Sequence, residues 1–427
     1  MIYDTIKIIY DTSSIFLLLS LVYKIYREKY LIVTSLVFWI SFFYFCYFTF
    51  PCFFIEEINS NWNFRQSTLS YSRGIVFIYN MFFIFYVFAF CRGDMKLKDK
   101  FEIKQRYEIV YQIAYFLEFI GGLVIIISVL SLINIRRSTS GFRAYFIIRQ
   151  AAETMEAKYH LRMILYLLVS SSFYLFLRYK RVALLLPLVG IVVFESLAGK
   201  RSTAFIVLIY LYILYALLKK KLALKIIVPV IFVLLVGILF ARADALDSKV
   251  NAFMVFGEFF ETFTTLPFII EYNLIGQGFD LERCLSDYTF ASFLPGSIKL
   301  FLISYKSVGS EIAKIIGRGY GLGSSFIVEQ FYEFGFAAFF TVMFIPVCIV
   351  VLDKKLRGAE NLLIKIIFAF QLRLYIREGV PQFMVSFYIF VMYFAFFYFL
   401  KKKNTKEEPK SIKKFRGHLK ILKYSYL

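Results

Sequence analysis

Long apolar stretches separated by short basic loops set the pattern of this chain. A helix needs about 20 mostly apolar residues to cross a bilayer. Such windows lie near residues 6–26, 30–54, 74–91, 109–135, 161–177, 182–198, 202–218, 226–241, 326–350, 359–376 and 382–400. The windows are too long and too little alternating for barrel strands, and backbone groups in hydrocarbon must be paired within their own segment. The pattern therefore predicts an all-α polytopic membrane protein with about eleven transmembrane helices.

One long polar interruption, residues 242–325, separates the first eight predicted spans from the last three. It divides the chain into N-terminal transmembrane helices (1–241), a large external loop (242–325), C-terminal transmembrane helices (326–400) and a basic tail (401–427). Within the loop, a helix drawn over residues 251–275 has an aromatic face and a polar face. The aromatic face carries Phe253, Phe256, Phe260 and Phe263, and the polar face carries Glu258, Glu261, Thr262 and Thr265.

This two-faced pattern predicts a helix that lies along the membrane surface or dips into it. Residues 310–316 predict a second short interfacial helix, which the glycines of 317–323 break. Composition agrees with a membrane protein, since 60% of the 427 residues are hydrophobic and 21% are aromatic. The five cysteines form no CxxC pair, which argues against a disulfide framework or a zinc site.

Basic residues predict the orientation of the chain. Short loops rich in lysine and arginine (24–29, 92–108, 178–181, 219–225 and 354–365) and the tail from 401 all fall on one side of the predicted spans. The positive-inside rule makes that side cytoplasmic, which places the 242–325 loop and the 378–381 turn outside. Lysine prevails inside, whereas arginine prevails outside.

The excess of arginine on the outer side, where basic residues are disfavoured, suggests a role in ligand binding. The planar guanidinium group can donate two hydrogen bonds to the oxygens of one phosphate. The alternatives are pairing with external carboxylates and snorkelling to lipid head groups. The candidate phosphate-binding arginines at predicted outer helix ends or in the long outer loop are Arg201, Arg242, Arg318, Arg373 and Arg377. Arg143 and Arg149, in the predicted outer loop 136–162, are further substrate-binding candidates. Arg373 and Arg377 are spaced to present two guanidinium groups on one helical face.

A glycine-rich approach to a membrane-entering helix, residues 317–335, is the most informative motif. Ser324 or Ser325 is placed to cap the helix, and its exposed N–H groups favour an anion. Glu329 is costly inside a membrane helix unless it is paired or faces a wet cavity, so it is a functional candidate. The alternative is a packing element in which Glu329 pairs with Arg318.

Other polar and aromatic residues have weaker claims. Tyr320 and Tyr332 could stack against sugars, although most aromatic residues of such a chain face lipid or core. Glu258 is a further carboxylate candidate, with a solvated helix face as its alternative. Arg149, Glu153, Glu156 and His160 fall on one helical face, where an ion-pair ladder is favoured over a metal site. No Asp-x-Asp pair occurs, and we expect neither a metal nor another cofactor.

Several short motifs resemble one family in their order along residues 100–400. Gly199-Lys200-Arg201-Ser202 lies between two spans, Asn273-Leu274-Ile275-Gly276 and Phe293-Leu294-Pro295-Gly296 lie in the long loop, and the run from Gly321 through Glu329 and Tyr332 to Gly335 enters a span. This arrangement resembles the O-antigen and capsule repeat-unit polymerases of the Wzy type.

The resemblance implies a glycosyltransferase of the bacterial inner membrane, with a GT-C-like arrangement of helices and an active face toward the periplasm. It would move a growing glycan from undecaprenyl diphosphate onto a lipid-linked repeat unit without a metal. Glu329, Arg318 and Arg377 would be catalytic, and Arg201, Arg242, Arg373, Arg143, Arg149, Tyr320, Tyr332 and Glu258 would bind substrate.

The partners implied are undecaprenyl-diphosphate-linked oligosaccharides, the lipid bilayer and a co-polymerase that regulates chain length, with no nucleic acid. Three other functions remain open at this point, one of them a non-catalytic component of a membrane assembly. An O-antigen ligase uses the same donor with a lipid A-core acceptor, and a flippase or other transporter moves lipid-linked oligosaccharides without forming a bond. Transporters tend to have repeated halves and interrupted helices, and the sequence shows no repeats.

Overall fold

The computed structural model of the protein describes residues 2–97, 108–139, 144–158, 161–179, 182–198, 202–222, 252–276, 308–317, 325–358, 361–377 and 379. Over these ranges the chain forms helices and turns, with no strand. The all-α class is therefore confirmed for the described part of the chain. The predicted spans at 226–241 and 382–400 lie outside it.

The helices follow the apolar pattern closely. The first five are α1 (Ile2–Glu28), α2 (Leu36–Tyr44), α3 (Phe50–Phe53), α4 (Ile55–Trp62) and α5 (Gln66–Phe90). The next five are α6 (Glu108–Ser138), α7 (Ala144–Lys158), α8 (Leu161–Tyr179), α9 (Leu186–Leu197) and α10 (Ser202–Lys219). The last five are α11 (Ala252–Glu271), α12 (Val308–Ile315), α13 (Phe326–Phe334), α14 (Ala338–Lys355) and α15 (362–377).

Five segments of the described chain are long and apolar enough to cross a membrane: Thr5–Thr34, Leu36–Phe53, Gln66–Phe90, Gln112–Ser138 and Phe326–Lys355. Shorter apolar helices occupy Leu167–Phe176, Ala183–Leu197 and Val207–Lys219. The protein is thus a helical membrane protein by the length and composition of its helices. Eleven crossings stay a prediction, because the described residues supply five full-length candidates.

One end of the main helix bundle is held by a buried ionic cluster. Lys365 Nζ, at the start of α15, lies 2.9 Å from an oxygen of Asp353 and 3.9 Å from Asp94. Asp353 also accepts hydrogen bonds from Ser35 Oγ and the Leu36 N–H, each at 3.2 Å. These contacts join α14, α15 and the segments before α2 and after α5. We call this end the Lys365 end.

The opposite end of the bundle is marked by the start of α13. The rings of Phe326 and Tyr375 lie 4.8 Å apart, and Phe48 packs edge-on against Phe326 at 5.7 Å. Lys7 of α1 pairs with Glu56 of α4 at this end. We call it the Glu329 end. The described residues of the predicted cytoplasmic loops thus lie at the Lys365 end of the bundle. Whether that end faces the cytosol stays a prediction.

A buried hydrogen-bonded network sits between the two ends. The Asn80 side chain, on α5, accepts from Tyr44 Oη at 3.1 Å and Thr49 Oγ1 at 2.8 Å. Its amide nitrogen donates to Ser13 and Ser14 of α1 at 3.1 and 3.0 Å. Polar side chains inside an apolar bundle are stable only when their hydrogen bonds are satisfied. The network fixes the register of α1, α2 and α5.

Helices α6, α8, α9 and α10 form a second group. A Cβ atom on Gly121 of α6 would come within 2.7 Å of the Leu168 side chain on α8, and one on Gly190 of α9 would come equally close to Ile125. Small residues let membrane helices approach closely where no hydrophobic driving force holds them together. α10 contacts the Lys29–Thr34 turn and so joins this group to the main bundle.

The loop helix α11 differs from the prediction. A helix is confirmed at Ala252–Glu271, but only part of its expected polar face meets solvent. Glu261 is half-buried, whereas Thr262 and Thr265 are as buried as Phe260 and Phe263. Aromatic residues of the main bundle cover the helix, with Tyr47 against Phe259 at 4.8 Å and Trp62 against Phe268 at 5.0 Å. A threonine hydroxyl can donate a hydrogen bond to the backbone of its own helix, as Thr265 Oγ1 does to Thr262 O. Threonines can therefore be buried without leaving their hydroxyl groups unsatisfied.

The second predicted loop helix is confirmed as α12, Val308–Ile315, and ends at Gly317 with a positive φ of 70°. Its core-facing residues Val308 and Ile312 are buried. α12 packs against α11 and α13, so it belongs to the Glu329 end of the main bundle.

Candidate functional site

The site is built on α13, a helix of nine residues that begins where the sequence predicts. Ser325 is its N-cap, and Ser325 Oγ accepts a hydrogen bond from the Val328 N–H at 3.3 Å. Gly335 ends the helix with φ 57° and ψ −134°, a conformation that is essentially restricted to glycine. α13 is thereby separated from α14, and it stands as a distinct element at the Glu329 end.

Three polar side chains of α13 are buried. Glu329 is 2% exposed, Gln330 is 2% exposed and Glu333 is 1% exposed. Glu329 and Glu333 are one helical turn apart. Charged carboxylates taken out of water require cations or several hydrogen bonds to compensate the lost hydration. Their burial therefore implies compensating groups in the elements packed against α13.

The Glu329 carboxylate lies against the backbone of Gly379, just beyond the last residue of α15. Its oxygens occupy the space that a Cβ atom at position 379 would take. Gly379 has φ 80°, in the left-handed region that favours glycine. Glu329 also interacts electrostatically with Tyr375, whose ring packs against Phe326. α13 is thus docked onto the last turn of α15.

Two of the predicted arginines lie on that last part of α15. Arg373 is 1% exposed, whereas Arg377 is half-buried. They are one turn apart, and the chain leads from Arg377 within two residues to the glycine that contacts Glu329. The structure therefore places Glu329 against the end of the helix that carries Arg373 and Arg377, which lie more than forty positions away in the sequence.

Tyr332, another predicted site residue, is half-buried on α13. Its hydroxyl donates a short hydrogen bond to the carboxylate of Glu311 on α12. The sequence suggests stacking against a sugar for Tyr332 and gives no signal of this hydrogen-bond partner. The bond ties α13 to α12 and fixes the orientation of the Tyr332 ring.

The Asn273–Gly276 run docks against the other end of α13. Asn273 ends α11 in the left-handed conformation with φ 52°, and the Leu274 N–H returns to Ile269 O at 2.8 Å, as in a Schellman cap. The Gly276 N–H then donates to Phe331 O at 3.1 Å. A Cβ atom on Gly276 would collide with Tyr332 O, so only glycine permits this approach.

Several predicted site residues lie outside the described residues. These are Arg318, Arg201, Arg242, Arg143 and Tyr320. Arg149 lies in α7 and Glu258 lies in α11, where their backbone alone is described. Their proximity to Glu329 stays a prediction.

Sequence reasoning missed two charged groups at the Glu329 end. Arg65 Nε lies 3.0 Å from Glu271, the last residue of α11, and the Thr68 hydroxyl also donates to that carboxylate. Arg73, on α5 and 2% exposed, shares Glu56 with Lys7, at 3.3 and 3.1 Å. These pairs link residues far apart in the chain, and no local spacing signals them.

Glu56 is an exposed carboxylate held between two cations. Its hydrogen bond to Lys7, followed by that to Arg73, lowers the pKa of the Glu56 carboxyl below its ordinary value of 4.5. Glu56 therefore stays ionised at neutral pH and balances the buried guanidinium of Arg73. Over the described ranges, no group of three or more His, Cys, Asp and Glu residues is placed to hold a metal ion.

No protein-family model, no curated protein and no solved structure matches the chain.

Proposed function

We propose that the protein is a polysaccharide polymerase of the Wzy type. It transfers a growing glycan from undecaprenyl diphosphate to a lipid-linked repeat unit, in the assembly of O-antigen or capsule. The observation that carries this proposal is the docking of the buried Glu329 carboxylate onto the end of the helix that bears Arg373 and Arg377. A base and two phosphate-binding cations are the groups that this reaction requires.

In the proposed reaction, a hydroxyl of the acceptor sugar attacks the anomeric carbon of the donor glycan. The new C–O bond forms as the bond from that carbon to the diphosphate breaks, and the diphosphate leaves with the electron pair. The hydroxyl proton passes to the Glu329 carboxylate. A diphosphate is a good leaving group, so its developing charge needs cations rather than an acid. The guanidinium forks of Arg373 and Arg377 supply them.

Burial gives these groups different tasks. Arg377 is half-buried at the helix end and is the more accessible cation for a diphosphate. Arg373 and Glu329 are almost fully buried, where electrostatic interactions are stronger than in water. We assign Arg377 to contact with the leaving group, Arg373 to support behind it, and Glu329 to proton transfer from the acceptor.

The membrane setting supports a lipid-linked substrate. The site lies at one end of apolar helices, and the end of a membrane-spanning helix is where the diphosphate of a polyprenyl lipid would meet water. Arg318 and Tyr320 precede Ser325 in the chain and complete the proposed site, together with Arg201, Arg242, Arg143, Arg149, Tyr332 and Glu258. The full proposal has eleven crossings in a GT-C-like arrangement in the bacterial inner membrane, with the Glu329 end facing the periplasm and a co-polymerase as partner.

The proposal is tested with purified protein in liposomes and synthetic lipid-linked repeat units, with no other protein. A polymerase lengthens the glycan into a ladder and releases undecaprenyl diphosphate, whereas a ligase needs another acceptor and a flippase forms no bond. We expect Arg377→Ala and Glu329→Gln to leave single repeats. Arg357→Ala, which removes an exposed arginine at the Lys365 end, is the matched control and should keep the ladder.

Two results would count against the proposal. Absence of any lengthening by the wild-type protein, with intact repeat units recovered, would overturn the polymerase activity. A full ladder from a Glu329→Gln protein of normal abundance would exclude Glu329 as the base. Arg377→Lys separates the effect of charge from that of shape, because lysine keeps the positive charge and lacks the planar guanidinium group. We expect this variant to keep part of the activity that Arg377→Ala loses.

A further inference from the structure

Helix α6 buries a carboxyl group within a candidate membrane span. Glu118 lies within Gln112–Ser138 and is 7% exposed. The buried positions of this helix recur at helical spacing and form one stripe, made of Ala114, Glu118, Gly121, Ile125, Ser128 and Leu132. Neighbouring side chains such as Phe116 and Phe119 are exposed on the lipid-facing surface. Glu118 therefore lies between helices and not at a helix end.

The partner of Glu118 is on the antiparallel helix α8. Ser171 Oγ donates to Glu118 Oε2 at 2.5 Å, and the same hydroxyl also lies 3.2 Å from Leu168 O. The second carboxyl oxygen, Oε1, is buried and has no hydrogen-bond partner among the described residues. One oxygen of this carboxyl is thus satisfied, and the other is enclosed without a donor.

Hydroxyl groups line the continuation of this site. Ser172 Oγ, next to Ser171, lies 3.2 Å from the Tyr210 hydroxyl on α10. Glu118 interacts electrostatically with Tyr210, which places the tyrosine on the side of the carboxyl. Ser170, Ser171 and Ser172 are all fully buried. Three helices, α6, α8 and α10, therefore contribute to one small polar site.

No described cation compensates Glu118. None of the described Lys, Arg and His residues forms an ion pair with it. Glu195, the other buried acid of this helix group, lies on α9 beyond Gly190, which packs on Ile125. The contact between Gly190 and Ile125 aligns α9 with α6, so the rise of 1.5 Å per residue can be counted along both helices. Glu195 then lies roughly 18 Å along the helix axis from Glu118. Tyr210 is thus the titratable group that faces the carboxyl.

A charged carboxylate in this position is expensive. Removing it from water without a cation costs several kcal/mol, and one hydroxyl donor recovers only part of that cost. A neutral carboxylic acid avoids the penalty. Its carbonyl oxygen accepts from Ser171, and its other oxygen carries the proton. A neutral O–H enclosed without an acceptor costs less than a buried charge without a cation.

We propose that Glu118 is an intramembrane proton-binding site, in which the ligand is a single proton held on the carboxyl between α6 and α8. Release of that proton would leave a negative charge in the α6–α8 contact, where Gly121 and Leu168 pack closely. Proton binding and the packing of this helix pair are therefore linked. The site is on helices separate from α13 and α15, so it stands independently of the proposed polymerase activity.

The test uses dicyclohexylcarbodiimide, an apolar reagent that reacts with protonated carboxyl groups in membranes. The acid adds across one C=N bond, with its proton going to nitrogen and its oxygen to the central carbon. Migration of the acyl group to nitrogen then gives a stable acylurea, and no atom is lost. Peptide mass spectrometry of wild-type protein should locate the adduct at Glu118 at neutral pH, with labelling reduced in alkaline buffer.

Two variants and an infrared measurement make the result decisive. Glu118→Gln should lose the adduct, whereas Glu153→Gln, which removes an exposed carboxylate on α7, should keep it. Infrared difference spectra of the wild-type protein should show the carbonyl band of a protonated acid, absent from Glu118→Gln. If Glu118→Gln does not fold, the mapped adduct and the wild-type band carry the test. An unmodified Glu118 together with no protonated-acid band at neutral pH would overturn the proposal.

Discussion

The Glu329 carboxylate and the Gly379 backbone are in direct contact, and the carboxylate fills the volume that any other residue at 379 would need for its Cβ atom. This contact joins the first turn of α13 to the end of α15. It also explains why a glycine with φ 80° follows two residues after Arg377. The orientation of the proposed base relative to the arginine helix therefore depends on the absence of a side chain at one position.

Replacing Gly379 by alanine should disable the site. The left-handed backbone disfavours alanine by about 1–2 kcal/mol, and the new methyl group must displace the Glu329 carboxylate. We expect loss of the polymer ladder in the liposome assay and a lower melting temperature in detergent. Both are measured on protein normalised for abundance.

Gly358→Ala is the matched control for this change. Gly358 also has a positive φ, of 108°, but no atom lies within 4 Å of its Cβ position. It should lose stability through backbone strain and keep the ladder. Equal activity of the Gly379→Ala and Gly358→Ala proteins would show that the position of Glu329 does not matter for the reaction.

Replacing Tyr332 by phenylalanine separates two roles of this residue. Phenylalanine keeps the ring that could stack on a sugar and removes the hydroxyl that donates to Glu311. Hydrogen bonds to charged groups contribute about 1.5–3 kcal/mol. We expect Tyr332→Phe to destabilise the protein within this range, measured by denaturation in detergent, because α13 loses its tie to α12.

A double-mutant cycle with Glu311→Gln isolates this contact. If the hydroxyl and the carboxylate stabilise each other, the loss in the double variant is smaller than the sum of the two single losses. Additive losses would contradict the proposed tie. A ladder that shortens in Tyr332→Phe without any change in stability would instead favour a direct role of the hydroxyl in binding.

Local signals predicted much of the Glu329 end. Ser325 caps α13, Gly317 follows α12, and Glu329 lies at the first turn of its helix, as the sequence indicates. Each of these features depends on a few neighbouring residues, so periodicity and turn chemistry suffice to find them. The contact between Glu329 and Gly379 joins positions fifty residues apart and has no local signal.

The loop helix shows where periodicity was insufficient. Aromatic and polar residues at helical spacing correctly located α11. The spacing did not show which residues of the main bundle would cover the helix. Main-bundle aromatics such as Tyr47 and Trp62 cover the helix, and its threonines are buried. An amphipathic pattern fixes the two faces of a helix, whereas the tertiary contacts decide whether the polar face meets water.

Charge patterning has a similar limit. Lys365 counts as one of the basic residues that predict the inner side, yet it is buried and paired with Asp353 and Asp94. Glu118 lies within a span and belongs to none of the sequence motifs, although a carboxyl within hydrocarbon is itself a signal of function. A scan for single charges inside predicted spans would have found it.

Replacing Lys365 by methionine should strongly destabilise the main bundle. Asp94 and Asp353 would be left as two buried carboxylates without their shared cation, while methionine fills a similar volume. Breaking a buried ion pair by removing one partner costs about 3–5 kcal/mol. We expect a large loss of folded protein in membranes and a lower melting temperature in detergent.

Lys355→Met is the control, since Lys355 is an exposed lysine near the same end of the bundle. It should change the melting temperature little, because exposed charges contribute less than about 1 kcal/mol. Asp353→Asn in the Lys365→Met background removes one of the two uncompensated carboxylates and should recover part of the stability. Equal melting temperatures for the Lys365→Met and Lys355→Met proteins would mean that the ionic cluster does not hold this end together.

Glu56 should make stability depend on pH in the acid range. Lys7 and then Arg73 lower the pKa of the Glu56 carboxyl in the folded protein below its ordinary value of 4.5. A carboxyl with a lowered pKa stabilises the fold above its ordinary pKa, and this contribution is lost as the pH falls through the folded pKa. At neutral pH, Glu56→Gln should therefore be less stable than wild type, and the difference should shrink below pH 4.5.

The effect should be small, because more than half of the Glu56 side chain is exposed and salt screens its charge. Melting temperatures of the two proteins are compared in detergent at neutral and acid pH, at low and high salt. Glu57→Gln removes the same charge from the neighbouring position of α4 and controls for net charge. Since the ion pairs with Lys7 and Arg73 belong to Glu56, the Glu56→Gln protein should lose its difference from wild type on acidification. A difference that persists at acid pH would assign the stabilisation to packing.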